Sequence, residues 1–178
     1  MPWKNGKGQT IELLKEETGD DNDFAWRLSK AQVSSDGGFS EFAGYERTLV
    51  LLSGDGMTLE HEDSPRHVLT EPLQFARFDG AEETIATLHN GPITDFNIMT
   101  KKSCCRATIT AGSCANNIAP DHYFDQLLVY CVSANLMVSP KNEDVFELPA
   151  EHLLQVRSCE IDISLSGGPF IAAGIRYV

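Results

Sequence analysis

The apolar residues of this chain fall into short runs, separated by turns rich in glycine, proline and acidic residues at intervals of about ten residues. Several runs alternate. Phe24, Trp26 and Leu28 share one strand face and leave Arg27 and Ser29 on the other, while Met57 and Leu59 share a face with His61. Ile161, Ile163 and Leu165 alternate with Asp162 and Ser164, a one-sided strand. The segment 48–52, TLVLL, is dense rather than alternating and stops at Ser53-Gly54-Asp55-Gly56, which reads as a core strand closed by a glycine turn. Further strands are expected at 65–69, 72–78, 84–88, 93–99, 106–110, 127–132, 136–138, 153–156 and 170–178. Residues 10–14 fit a strand or a single helical turn, 16–23 a solvated acidic loop and 34–38 a turn; 150–154 carries a modest helical alternative. The spacing is that of an all-β sandwich or barrel, and no internal sequence repeat accompanies it.

With 178 residues the chain fits one domain or a compact pair of small barrels. Its 14 Lys and Arg against 26 Asp and Glu leave a formal net charge of −12. Such a surface repels phosphate backbones and anionic lipid, so neither nucleic acid nor a membrane surface is an expected partner. A small anion would need local positive charge to hold it against that field. The five cysteines include the adjacent pair Cys104 and Cys105 and show no CxxC spacing, which reads as reduced and mostly buried thiols. The first residues, MPWKNGKGQT, lack the apolar core of an export signal, and no stretch approaches the ~20 apolar residues of a membrane helix. A soluble, cytoplasmic protein is the expectation.

Common catalytic signatures are missing: there is no HxH, HExxH, CxxC, GxSxG or phosphate-loop pattern. His61 with Asp63 and His67 is the nearest approach to a metal-ligating set, and a cysteine paired with His122 the nearest to a nucleophile. A polar constellation without a nucleophile carries more. Arg47 stands just before the apolar run 48–52, where a guanidinium must either pair internally or wait for an anionic ligand. In 93–99, ITDFNIM, Phe96 and Ile98 point one way while Asp95, Asn97 and Met99 point the other, so two polar groups one pleat apart can form the wall of a polar pocket. Lys4 and Arg27 can add charge, Asn5 and Asn97 amide hydrogen bonds, and Trp3 an apolar wall. Asp95 is the rival claimant for Arg47, as a structural ion pair.

Taken in order, Pro2-Trp3-Lys4-Asn5-Gly6-x-Gly8, Trp26-Arg27-Leu28-Ser29, Phe39-Ser40-x-Phe42-x-Gly44-x-x-Arg47-x-Leu49, Gly54-x-Gly56 and Asp95-Phe96-Asn97 resemble the HutD/Ves family. The resemblance is specific over about residues 2–100. It implies a bicupin, two cupin-like antiparallel barrels at 1–100 and 101–178. It also implies a non-catalytic role in bacterial histidine utilisation, with a small carboxylate such as formylglutamate or urocanate as ligand and no cofactor. Arg47 is the position the family pattern marks as ligand-contacting, followed by Lys4, Asn5 and Asn97. Two departures stand out: Lys7 replaces a frequent glycine, and Met1 abuts the PWKNG motif where family members usually carry further residues.

The leading expectation is thus a carboxylate-binding bicupin anchored at Arg47, with Trp3, Lys4, Asn5, Arg27, Asp95 and Asn97 around it and a homodimer open. A metal-dependent cupin enzyme working through His61 and His67, or an interaction protein without a small ligand, are the alternatives.

Overall fold

The computed structural model describes residues 8–19, 23–113, 116–118, 124–157 and 162–178. These residues form strands and connecting turns without a helix, and the chain divides into two compact units, Met1–Cys104 and Cys105–Val178.

In the first unit, five strands make one antiparallel sheet: β1 (Gly8–Glu17), β2 (Phe24–Val33), β4 (Tyr45–Ser53), β7 (Phe75–Asp79) and β9 (Ile93–Lys101), ordered β1-β2-β9-β4-β7. A second sheet is ordered β3-β8-β5-β6, from β3 (Gly37–Gly38), β5 (Met57–His61), β6 (His67–Leu69) and β8 (Thr84–Leu88). Val33, Leu49, Leu51, Ala76, Phe78 and Ile93 of the first sheet pack with Met57, Leu59, Leu69 and Ala86 of the second. The alternation read from the sequence is what produces this layer: Met57 and Leu59 are fully buried, with the exposed Glu60 between Leu59 and His61.

The dense run 48–52 is the centre of β4, where Leu49, Val50 and Leu51 are inaccessible to solvent. A register shift between Leu51 and Ser53 interrupts its pairing with β9, which closes with Ser53 opposite Thr94. The turn that follows requires its glycines. Gly56 has φ of 109°, and a Cβ there would stand 2.3 Å from the Leu69 carbonyl oxygen.

The second unit repeats the two-sheet plan. One sheet is ordered β10-β17-β12-β15, from β10 (Cys105–Gly112), β12 (Gln126–Cys131), β15 (Leu153–Val156) and β17 (Phe170–Tyr177). The other is ordered β11-β16-β13-β14, from β11 (Asn116–Ile118), β13 (Leu136–Pro140), β14 (Phe146–Leu148) and β16 (Ile163–Gly167). Between them lie Leu127, Val129, Leu136, Val138, Leu165, Phe170 and Ala172.

Three short strands, β3, β11 and β14, escaped the sequence pattern because two or three residues carry too little periodicity to register. The turn expected at 34–38 contains β3. Residues 10–14 lie within the ten-residue β1, and the helical alternative at 150–154 gives way to a turn with Glu151 at φ 62° leading into β15.

Candidate functional site

The inward face of the five-stranded sheet changes character along its length. Cross-strand register places Met99 of β9 opposite both Arg27 of β2 and Arg47 of β4, and places Phe78 of β7 beyond Arg47. One row further, Asn97 stands between Ser29 and Leu49, and the next row sets Asp95 between Ala31 and Leu51. The period of two therefore brings Arg27, Arg47, Asp95, Asn97 and Met99 onto one face, as the alternation in 93–99 predicts.

Arg47 is almost wholly buried, with 8% of its surface exposed. Its Nη1 donates to the Ser40 carbonyl at 3.1 Å and its Nη2 to Asn97 Oδ1 at 3.2 Å. Its Nε is buried and has no hydrogen-bond partner among the described residues. Asn97 Nδ2 in turn donates to Asp95 Oδ1. Asn97 thus stands between guanidinium and carboxylate, and among the described residues no direct ion pair joins Arg47 to Asp95. The structural salt bridge that the sequence left open is replaced by a relay through an amide.

Burial decides the electrostatics. Desolvation lowers the Arg47 pKa to about 10, against the opposing pull of Asp95, so the side chain stays charged at neutral pH. Asp95 is raised to about 7 by desolvation, with Arg47 and the Asn97 hydrogen bond only partly offsetting it. The carboxyl is therefore partly protonated near neutrality and is a weak counter-ion.

Aromatic rings enclose the guanidinium. The Arg47 Cζ lies 5.1 Å from the Phe78 centroid, 5.3 Å from Phe39 and 5.7 Å from Phe42. Arg27 Cζ lies 4.9 Å from Phe24 and 5.1 Å from the same Phe42. The sequence left Arg27 either on the solvent face or lining a cavity; it is half-buried among these rings, donating from Nη2 to Met99 Sδ at 3.2 Å, with its Nε buried and unpartnered. Burial lowers its pKa, opposed by Glu12. Nearby acids have other partners: Asp23 is held by Lys101 and Tyr45, Asp79 by Lys102, and Glu12 lies 3.9 Å from Lys15.

The loop 39–44 carries Phe39, Ser40 and Phe42 and is pinned by its backbone. Phe39 N–H donates to Thr84 O at 2.9 Å, Phe42 N–H to Gly80 O at 2.6 Å, and Gly80 N–H to Tyr45 O at 2.8 Å. A Cβ at Gly80 would meet the Phe42 carbonyl at 2.6 Å, so glycine is what allows the close approach. Phe39 and Phe42 stand in the family motif, which by itself does not mark them as part of the site. The available signal was their position within eight residues of Arg47.

His61 packs on Phe78 at 4.8 Å between centroids. Its Nδ1 is 2.9 Å from Thr84 Oγ1, and its Nε2 is 3.0 Å from His67 Nδ1. Because the Thr84 hydroxyl donates to Glu82 O at 3.2 Å, it accepts from His61 Nδ1–H, leaving His61 Nε2 to accept from His67. Burial first, then His67 and Arg47, lower the His61 pKa, which keeps the ring neutral. Asp63 lies apart on an exposed turn where its N–H donates to Glu82 Oε1. Among the described residues no group of three or more His, Cys, Asp or Glu side chains is placed to hold a metal ion.

Trp3, Lys4, Asn5, Cys114, His122 and Cys159 lie outside the described residues. Cys104, Cys105 and Cys131 are free thiols.

A family model described as HutD matches residues 1–172. The chain belongs to the HutD family. HutD from Pseudomonas fluorescens, solved in a formate condition, superposes with a TM-score of 0.84 at 31% identity, covering 100% of this chain and 93% of that one. An uncharacterised 21.2 kDa protein in the hutC 3' region of Pseudomonas putida is 41% identical over 99 residues, which is 56% of this chain and 52% of that protein. Protein Ves of Escherichia fergusonii is 39% identical over 108 residues, 60% of this chain and 56% of the relative. The chain spans about half the length of these two relatives. A cupin barrel protein from Leptotrichia buccalis superposes at a TM-score of 0.58 with 11% identity over 100% of this chain and 92% of that one, a likeness of fold alone. The HutD chain is therefore an all-β bicupin. No helix of its described residues is long and apolar enough to cross a membrane.

Proposed function

We propose that this HutD-family chain binds a small carboxylate through Arg47 and acts as a non-catalytic modulator of histidine utilisation, with an acid such as formylglutamate or urocanate as its ligand. The observation that carries this reading is the state of Arg47: buried, charged, walled by three rings, and with an unpartnered Nε. A buried donor without a partner costs about 1–3 kcal/mol, which a ligand carboxylate removes by accepting a charge-assisted hydrogen bond. The position of the Pseudomonas putida relative in the hutC 3' region supports the pathway assignment.

One guanidinium–carboxylate contact contributes on the order of 1.5–3 kcal/mol, whereas micromolar affinity needs about 8. The neighbouring Arg27, Asn97 and aromatic rings supply the additional contacts. Lys4, Asn5 and Trp3 belong to the same proposed site through the family motif, and a homodimer is compatible with this reading.

A thermal-shift panel of small carboxylates tests the proposal. Binding raises the Tm of the wild-type chain by mass action, and Arg47→Ala abolishes the rise. An Arg47→Ala response equal to wild type, or silence across the whole panel, sinks it. Stoichiometric iron, zinc or manganese in protein purified without chelator would favour a metal-dependent enzyme instead.

A further inference from the structure

In a site that grips one carboxylate at Arg47, Arg27 is only an auxiliary contact, yet it occupies the same row of the sheet. Both arginines face Met99, one from each neighbouring strand, so β2 and β4 are separated by the width of β9, about 9–10 Å. Both guanidinium carbons lie close to one ring, 5.1 and 5.7 Å from the Phe42 centroid, which limits their separation to about 11 Å. Each keeps a buried Nε with no partner. Among the described residues, the hydrogen bond from the Arg27 guanidinium ends on a thioether sulfur, a weak acceptor.

Building on the carboxylate-binding reading, we infer that the site takes a dicarboxylate, one end held by Arg47 and the other by Arg27, with Phe42 packed against both arms. Two like charges enclosed by the same rings repel each other, and Arg27 indeed depresses the Arg47 pKa. Among the described residues, Asp23 is engaged with Lys101 and Tyr45, while Glu12, 3.9 Å from Lys15, offsets only part of the burial that lowers the Arg27 pKa. Asp95, buried and reached only through Asn97, is raised to about 7 and supplies at most one charge. A dianion neutralises what the protein leaves uncompensated. A short aliphatic dicarboxylate spans the interval when each end stands about 2.8 Å from its guanidinium nitrogen. The net charge of −12 makes the pairing of two arginines more telling, since a second negative charge on the ligand is repelled everywhere else.

Titration calorimetry of the full chain with succinate, glutarate and butyrate decides the matter. Glutarate or succinate binds wild type about ten- to a hundredfold more tightly than butyrate, the contribution of one further charge-assisted contact. Arg27→Gln weakens the dicarboxylate about ten- to a hundredfold and butyrate far less, so that the two affinities converge, and Arg27→Lys restores part of the difference. Equal affinity of dicarboxylates and butyrate for wild type overturns the inference without needing a variant, as does an Arg27→Gln chain that weakens both ligands alike. Either result leaves a butyrate affinity that depends on Arg47, and with it the simpler carboxylate reading, intact. Absence of binding by all three acids removes both.

Discussion

In the unit 105–178, β12 and β17 send Leu127, Val129, Cys131, Phe170 and Ala172 inward to meet Leu136, Val138, Ile163 and Leu165 of the facing sheet. In the first unit, β9 and its neighbours send in Ile93, Leu49 and Leu51, but with Asp95 and Asn97 beside the two leucines and Arg27 and Arg47 in the row beyond. Both units use the same two-sheet plan. The difference lies in how buried polar groups are treated. In the second unit the buried Gln126 donates to Tyr177 Oη at 2.8 Å and accepts from Gln155 Nε2 at 2.8 Å, a satisfied network. In the first, among the described residues, two buried guanidinium Nε groups have no partner and the buried Asp95 carboxyl accepts from Asn97. Satisfied polar groups serve the fold, whereas unsatisfied ones cost stability and persist where a ligand completes them. The contrast supports the proposal that the ligand site belongs to the first unit.

The comparison breaks most visibly at the apolar interior. Phe170→Ala, at a fully buried position, should lower stability by about 3–5 kcal/mol through lost burial and the cavity it leaves, read as a fall in denaturant midpoint. A loss below about 1 kcal/mol would mean that this interior is not the tightly packed one described.

A smaller and pH-dependent effect belongs to Asp95. Its folded pKa is raised, so between its ordinary value of 3.8 and about 7 the folded chain retains a proton that the unfolded chain releases. Stability from this group is therefore greatest at low pH and declines as pH rises through that window, by up to about 1.4 kcal/mol per unit. Asp95→Asn removes that slope, so wild type loses ground to the variant from pH 5 to pH 7 in paired urea melts. Parallel curves for the two proteins would show that Asp95 does not titrate in this range.

The smallest expected change in stability is the most diagnostic. Arg47→Met leaves Ser40 O and Asn97 Oδ1 without their donor, a cost offset by no longer burying a desolvated charge, so the stability of the ligand-free protein should change by no more than about 1 kcal/mol. The same variant loses carboxylate binding. A large destabilisation would make Arg47 a structural residue and return the first unit to the same category as the second.

Much of this was present in the residue order. Alternation in 24–29, 57–61 and 93–99 set the strand faces, and β8 and β15 begin and end where the pattern placed them. It also put Asp95, Asn97 and Met99 on one face and left Arg27 on the face opposite Trp26, because side-chain direction in a strand follows from parity alone. Register is another matter. That Met99 stands between Arg27 and Arg47, across 72 and 52 residues of chain, depends on long-range pairing that no local pattern encodes. Nor does the sequence state that Asn97 comes between Arg47 and Asp95, or that Phe42 packs against two guanidinium groups, since these depend on the backbone of a loop pinned to Thr84 and Gly80. The sequence by itself determined an all-β chain with an arginine that needed a partner. The tertiary structure decided that the protein supplies that partner incompletely, because burial withdraws water from the arginine while leaving one of its donors unmatched.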